Sequence, residues 1–142
     1  MPDKLISIVI PAFNESENIP RIAAAIENLF EPLPYRYEII IVADGCTDST
    51  MEKIQELLTT NKHLFYIEFS RNFGHQNALK AGLDHSNGDC VISLDCDMQH
   101  PPEIIPEMLA KWEEGYEVVY TIRKEDKKLP ISKRFTSKLF YN

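Results

Sequence analysis

Two carboxylates one residue apart, Asp95 and Asp97, close the apolar run Val91-Ile92-Ser93-Leu94, and Gln99 follows two positions on. In extended chain the i and i+2 side chains share a face. Carboxylates that close repel each other unless a cation or a proton lies between them. Gln99 could add a neutral oxygen ligand. Oxygen donors of this kind suit magnesium or manganese more than zinc. A divalent cation held by carboxylates at a strand end usually has a second client, a substrate phosphate. The bland alternative is a pair of solvated loop aspartates. The strand before the pair and the Pro101-Pro102 stop after it favour chemistry. Asp95 and Asp97 are therefore the candidate catalytic carboxylates. Asp95, Asp97 and Gln99 are the candidate ligands for Mg2+ or Mn2+.

These residues need a scaffold. Residues 90–94 are too short and too β-branched for a helix and read as a strand. Residues 5–11, 37–43, 64–69 and 118–122 read likewise. Between them lie helical stripes: Ile19, Ile22, Ala23, Ile26, Leu29 and Phe30; Met51, Ile54, Leu57 and Leu58; Ala78, Leu79, Ala81 and Leu83; Ile104, Ile105, Met108, Leu109 and Trp112. Asn14 with Glu17, and Ser49 with Glu52, have capping-box spacing. Strand-helix alternation predicts an α/β fold, a mostly parallel sheet flanked by helices on both sides. In such sheets ligands bind beyond the C-terminal strand ends. Glu15, Asp44 and the Asp95/Asp97 pair follow the first, second and fourth strands, so they could line one pocket. Asp44 could accept from a base edge, and Phe13 could pack on a base or sugar. The ordinary alternatives are a helix-dipole charge for Glu15, a turn aspartate for Asp44 and a core aromatic for Phe13.

At 142 residues the chain is one domain by length. Its net charge of −7 argues against a nucleic-acid partner. The three cysteines, Cys46, Cys90 and Cys96, form no framework spacing and fit a reducing compartment. No signal peptide or membrane-span-length apolar run is visible. The turn after the first strand, Pro11-Ala12-Phe13-Asn14-Glu15, has no glycine, which disfavours a dinucleotide fingerprint, and no P-loop is present. From Arg123 onward the chain turns basic and carries nearly half of its 15 lysines and arginines. Ile131, Phe135 and Leu139 form an apolar stripe among those cations, a pattern suited to a helix at a membrane interface. Residues 1–122 carry the strand-helix alternation, and 123–142 form a separate basic, amphipathic segment. The chain reads as a piece of a longer protein.

Three blocks carry a resemblance: Ile8-Val9-Ile10-Pro11-Ala12-Phe13-Asn14-Glu15, Val42-Ala43-Asp44-Gly45-Cys46-Thr47-Asp48, and Leu94-Asp95-Cys96-Asp97-Met98-Gln99-His100-Pro101-Pro102-Glu103. Together they resemble family-2 glycosyltransferases of the Rossmann-like GT-A fold. Within that family the chain is most similar to polyprenyl- and dolichyl-phosphate sugar transferases, to which Ser70-Arg71-Asn72-Phe73-Gly74 also points. The resemblance implies transfer of a sugar, with inversion and metal assistance, from a nucleoside-diphosphate sugar to a lipid phosphate or glycan. It implies that Pro11, Ala12, Phe13, Glu15 and Asp44 contact the nucleotide and that Asp95 reaches its ribose or diphosphate. Asp97 and Gln99 would bind the metal, and Arg123, Lys133 and Arg134 would face the acceptor phosphate at the cytosolic membrane surface. Two departures stand out: Ala43 and Cys46 occupy positions that are usually acid and serine. A non-catalytic nucleotide-binding module and a sugar-1-phosphate nucleotidyltransferase are the competing readings.

Overall fold

The computed structural model describes residues 3–122. Two compact units divide at Ile104/Ile105. The first holds a four-stranded sheet of β1 (Leu5–Ala12), β2 (Arg36–Ala43), β3 (Leu64–Glu68) and β4 (Cys90–Ser93). All three strand pairings are parallel, in the order β3-β2-β1-β4. The helices α1 (Asn18–Phe30), α2 (Thr50–Leu58) and α3 (His75–His85) are the crossovers. The second unit holds α4 (Ile105–Glu113).

The central strands are almost wholly apolar because both faces are covered, as parallel sheets require. On one face Ile40 and Val42 of β2 pack with Ala78 of α3, with Ile67, Phe69 and Ala81 around them. Ile39 and Ile41 point to the opposite face and are equally buried. Ile19, Ile22, Ala23, Ile26 and Phe30 form the buried stripe of α1 at the expected spacing. One polar cluster lies inside this apolar setting, at the sheet end opposite Asp44. There the buried Glu38 accepts from the Ser7 hydroxyl (2.6 Å) and from Asn87 N–H (2.8 Å).

Three expectations fail. Neither capping box forms. Asn14 takes a left-handed φ of 53°, which asparagine tolerates better than most side chains, and turns away from α1. Its amide oxygen instead accepts from Thr47 N–H (2.8 Å) and Asp48 N–H (3.3 Å), stitching two loops together. At α2, Asp48 rather than Ser49 serves the first turn, accepting from Thr50 N–H (2.9 Å) and the Thr50 hydroxyl. The third failure is the strand over 118–122, which is absent from the sheet among the described residues. Val118, Tyr120 and Ile122 are each more than three-quarters exposed. Alternating β-branched and aromatic residues supply strand propensity, but a ladder needs a partner edge, which local pattern cannot provide.

Candidate active site

The loops leaving the C-terminal ends of β1, β2 and β4 enclose a cleft of about 240 Å³. The first strand and its loop contribute Pro11, Ala12, Phe13 and Glu15. Asp44 comes from the end of β2, and Asp95, Cys96 and Asp97 from the end of β4. His75, the first residue of α3, completes the lining. The structure therefore assembles Pro11, Ala12, Phe13, Glu15, Asp44, Asp95 and Asp97 from three separated stretches of chain. Gln99 is not among the lining residues. Arg123, Lys133 and Arg134 lie outside the described residues.

Each loop has a local reason for its shape. Phe13 is 48% exposed, so it is a cleft wall rather than a core aromatic. The carbonyl of Glu15 accepts from Asn18 and Ile19 N–H, and its carboxylate accepts from the Asn18 amide at 2.8 Å. Glu15 therefore serves the start of α1 and the cleft at once. Asp97 Oδ1 accepts from Gln99 N–H (3.1 Å) across a tight turn in which Met98 adopts φ 63°.

Asp44 is buried, and each of its carboxylate oxygens accepts one backbone N–H. Its Oδ1 accepts from Phe73 N–H (2.7 Å) and its Oδ2 from Gly74 N–H (3.1 Å). A carboxylate that satisfies two backbone amides is an anchor for the loop it binds. The adjacent Gly45 has φ +66°, and a Cβ there would sit 2.2 Å from backbone atoms of Arg71 and Asn72. Only glycine lets the two loops come this close. Arg71 then stacks its guanidinium 4.2 Å from the Phe73 ring centroid. Cys46 donates its thiol to the Ala12 carbonyl at 3.4 Å, so it occupies its unusual position with a hydrogen bond.

The electrostatics are those of an acid-rich cleft. Burial, and then the charges of Glu15, Asp97, Cys46 and Asp95, push the Cys96 thiol up to about 12. Cys96 is therefore a neutral filler between two carboxylates. Two histidines approach Asp95: His100 Nδ1 lies 3.4 Å from Oδ2, and His75 Nε2 lies 3.9 Å from Oδ1. Sequence reasoning missed the role of His75, because its proximity to Asp95 is a tertiary fact with no local signal.

Among the described residues no cluster of three or more His, Cys, Asp or Glu groups could hold a metal by itself. The Asp95/Asp97 pair in the cleft is instead the kind of sparse carboxylate set that Mg2+ or Mn2+ commonly take, leaving the remaining positions to water and substrate phosphate.

The model of glycosyl transferase family 2 matches residues 7–139. The chain belongs to that family. An uncharacterized glycosyltransferase of Synechocystis sp. is 41% identical to this family-2 chain over 136 residues, covering 96% of the chain and 43% of the relative. The chain thus spans less than half the length of that relative. Among solved structures, a mannosyltransferase of Pyrobaculum calidifontis in complex with GDP-Man and Mn2+ matches with a TM-score of 0.65 at 24% identity. The match covers 75% of this chain and 31% of that one. Glucosyl-3-phosphoglycerate synthase of Mycobacterium tuberculosis, with Mn2+, UDP and glucosyl-3-phosphoglycerate, matches with a TM-score of 0.61 at 24% identity. That match covers 80% of this chain and 41% of that one. The architecture of this family-2 chain is the GT-A fold of nucleotide-sugar transferases, as its blocks implied. Membership of a glycosyltransferase family sets aside the nucleotidyltransferase reading.

Proposed function

We propose that this chain forms the donor site of a metal-assisted, inverting glycosyltransferase that uses a nucleoside-diphosphate sugar. The observation that carries the reading is the convergence of Asp95 and Asp97 with Phe13, Glu15 and Asp44 in one cleft at the C-terminal ends of parallel strands. Phe13 offers an exposed ring for the base or sugar to pack on. Asp44 shapes the cleft floor, and its oxygens keep lone pairs for a base edge. Asp95 reaches the ribose or diphosphate. Asp97, with Gln99 drawn in once the donor is present, would hold Mg2+ or Mn2+. That cation would neutralise the charge that develops on the leaving diphosphate. The complexes of relatives with GDP-Man and Mn2+, and with UDP and Mn2+, support a divalent cation and leave both bases open.

The acceptor is a lipid phosphate on this reading, met at the cytosolic membrane face by Arg123, Lys133 and Arg134. Such a nucleophile is already largely anionic near neutral pH, by analogy with phosphoserine, so no strong general base is needed. Among the described residues no helix is long and apolar enough to cross a membrane. The test uses the full-length protein with UDP- and GDP-sugars, Mn2+ and polyprenyl phosphate. Thermal stabilisation by nucleotide should require metal, and Asp97→Asn should remove the metal dependence without unfolding the protein. Equal stabilisation in EDTA would defeat the donor-site reading. Lys133→Glu with Arg134→Glu should abolish transfer to polyprenyl phosphate yet spare nucleotide binding; undiminished transfer would defeat the acceptor assignment.

A further inference from the structure

We propose that His75 and His100 are positioning residues of the donor site, which together fix the orientation of the Asp95 carboxylate. The inference rests on the donor-site reading and deepens it. Among the residues that line the cleft, His75 alone carries a side-chain nitrogen. It comes from α3, whereas His100 comes from the loop beyond β4, so the two imidazoles approach Asp95 from different elements. They address different oxygens: His100 Nδ1 is 3.4 Å from Oδ2, and His75 Nε2 is 3.9 Å from Oδ1. The first separation is slightly longer than an ordinary N–H···O bond, and the second is electrostatic or spans one water.

A carboxylate needs such support because its terminal torsion is broad and roughly two-fold. The Asp95 side chain is 41% exposed, so packing alone does not lock it. His75 is well placed to do so, because its backbone is pinned. The two amides just before it, Phe73 and Gly74 N–H, are both held by Asp44. Gly74 turns the chain into α3 with φ 96°. A continuous set of contacts therefore runs from Asp44 through residues 73–75 to Asp95 and on to His100. The carboxylate that follows β2 fixes the loop that aims the carboxylate that follows β4.

The test is calorimetric titration of the full-length protein with UDP and GDP in the presence of Mn2+. His75→Ala and His100→Ala should each weaken the preferred nucleotide about tenfold. Replacement of either histidine by glutamine, which keeps an N–H donor, should recover most of the affinity. Because both act on one carboxylate, the losses should not simply multiply in the double alanine variant. Melting temperatures should stay near wild type, since the two side chains are 56% and 44% exposed. Unchanged affinity in the single variants, failure of glutamine to rescue, or losses that multiply independently would each overturn the inference. If the wild-type protein binds neither nucleotide, the donor-site reading falls and takes the inference with it. Binding by the wild type with indifferent variants overturns the inference alone.

Discussion

Asp44 carries two burdens that its place in a turn motif does not reveal. Its oxygens hold the amides of Phe73 and Gly74 while its side chain lines the cleft. Removing it leaves two backbone donors without their partner. Asp44→Ala should therefore lower stability by about 2 kcal/mol, in the range for hydrogen bonds to a charged group. The midpoint of urea unfolding reads this directly. An unchanged midpoint would mean that the amides find other partners and that Asp44 serves the ligand alone. A second consequence reaches the pocket: inorganic diphosphate affinity should fall along with nucleotide affinity, because the loop that presents His75 loosens. Asp48 illustrates a quieter economy. Burial pulls its carboxyl upward, yet hydrogen bonds from Thr50 and Ser16 outweigh that pull and hold it below the ordinary range.

At the scale of elements, the loop after β2 and the loop after β3 are built to touch. Gly45 makes that contact possible, and alanine there would meet backbone 2.2 Å away in a left-handed conformation. Gly45→Ala should cost about 1–3 kcal/mol through combined strain and overpacking. It should also weaken nucleotide binding more than a remote core change of equal cost, such as an Ile54 truncation in α2. Equal effects on binding at matched stability would show that the loop contact does not shape the cleft. These elements also show what the sequence made legible. The stripes of α1 and α2 and the apolar strands 37–43 and 90–94 followed from period and β-branching alone. So did the convergence of Glu15, Asp44, Asp95 and Asp97, because parallel strands put all their C-terminal ends on one edge. Loop-to-loop contacts were not legible. Asn14 has the spacing of a helix cap, but its amide satisfies Thr47 and Asp48, more than thirty residues away. The His75–Asp95 approach is hidden for the same reason. The stretch 118–122, expected as a strand, had the right residues but forms no strand among the described residues.

The molecule as a whole has a marked alkaline liability. Burial, and then nearby charges, raise the Cys96 thiol from 9.0 to about 12, burial raises Cys90, and burial followed by Glu27 raises the Tyr37 phenol. In each case the folded chain keeps a proton that the unfolded chain releases. The stabilisation is complete below the unfolded value and is lost as pH rises through the folded one. Stability in EDTA should therefore fall between about pH 9.0 and 12. Cys96 can account for at most about 4 kcal/mol of that fall. Cys96→Ala should flatten the slope of melting temperature against pH over this window, whatever it does to the neutral value. An unaltered slope would mean that Cys96 does not titrate with unfolding. The same burial should make Cys96 slow toward alkylating reagents near neutral pH.

The order β3-β2-β1-β4 also has a meaning in time. The interior strand β1 comes first in the chain, yet one of its two partners is the last strand in the sheet, and Leu5 N–H bonds the Asp89 carboxylate across 84 residues of chain. Closing a loop of that length forgoes much conformational freedom before any contact rewards it, so such pairings form slowly. The wall carrying Asp95 and Asp97 arrives only with that pairing, whereas the Phe13 and Asp44 walls need only the local β1-α1-β2 unit. During refolding, helical signal and much of the core should return first. Metal-dependent nucleotide binding should return last, as a clock for the docking of β4.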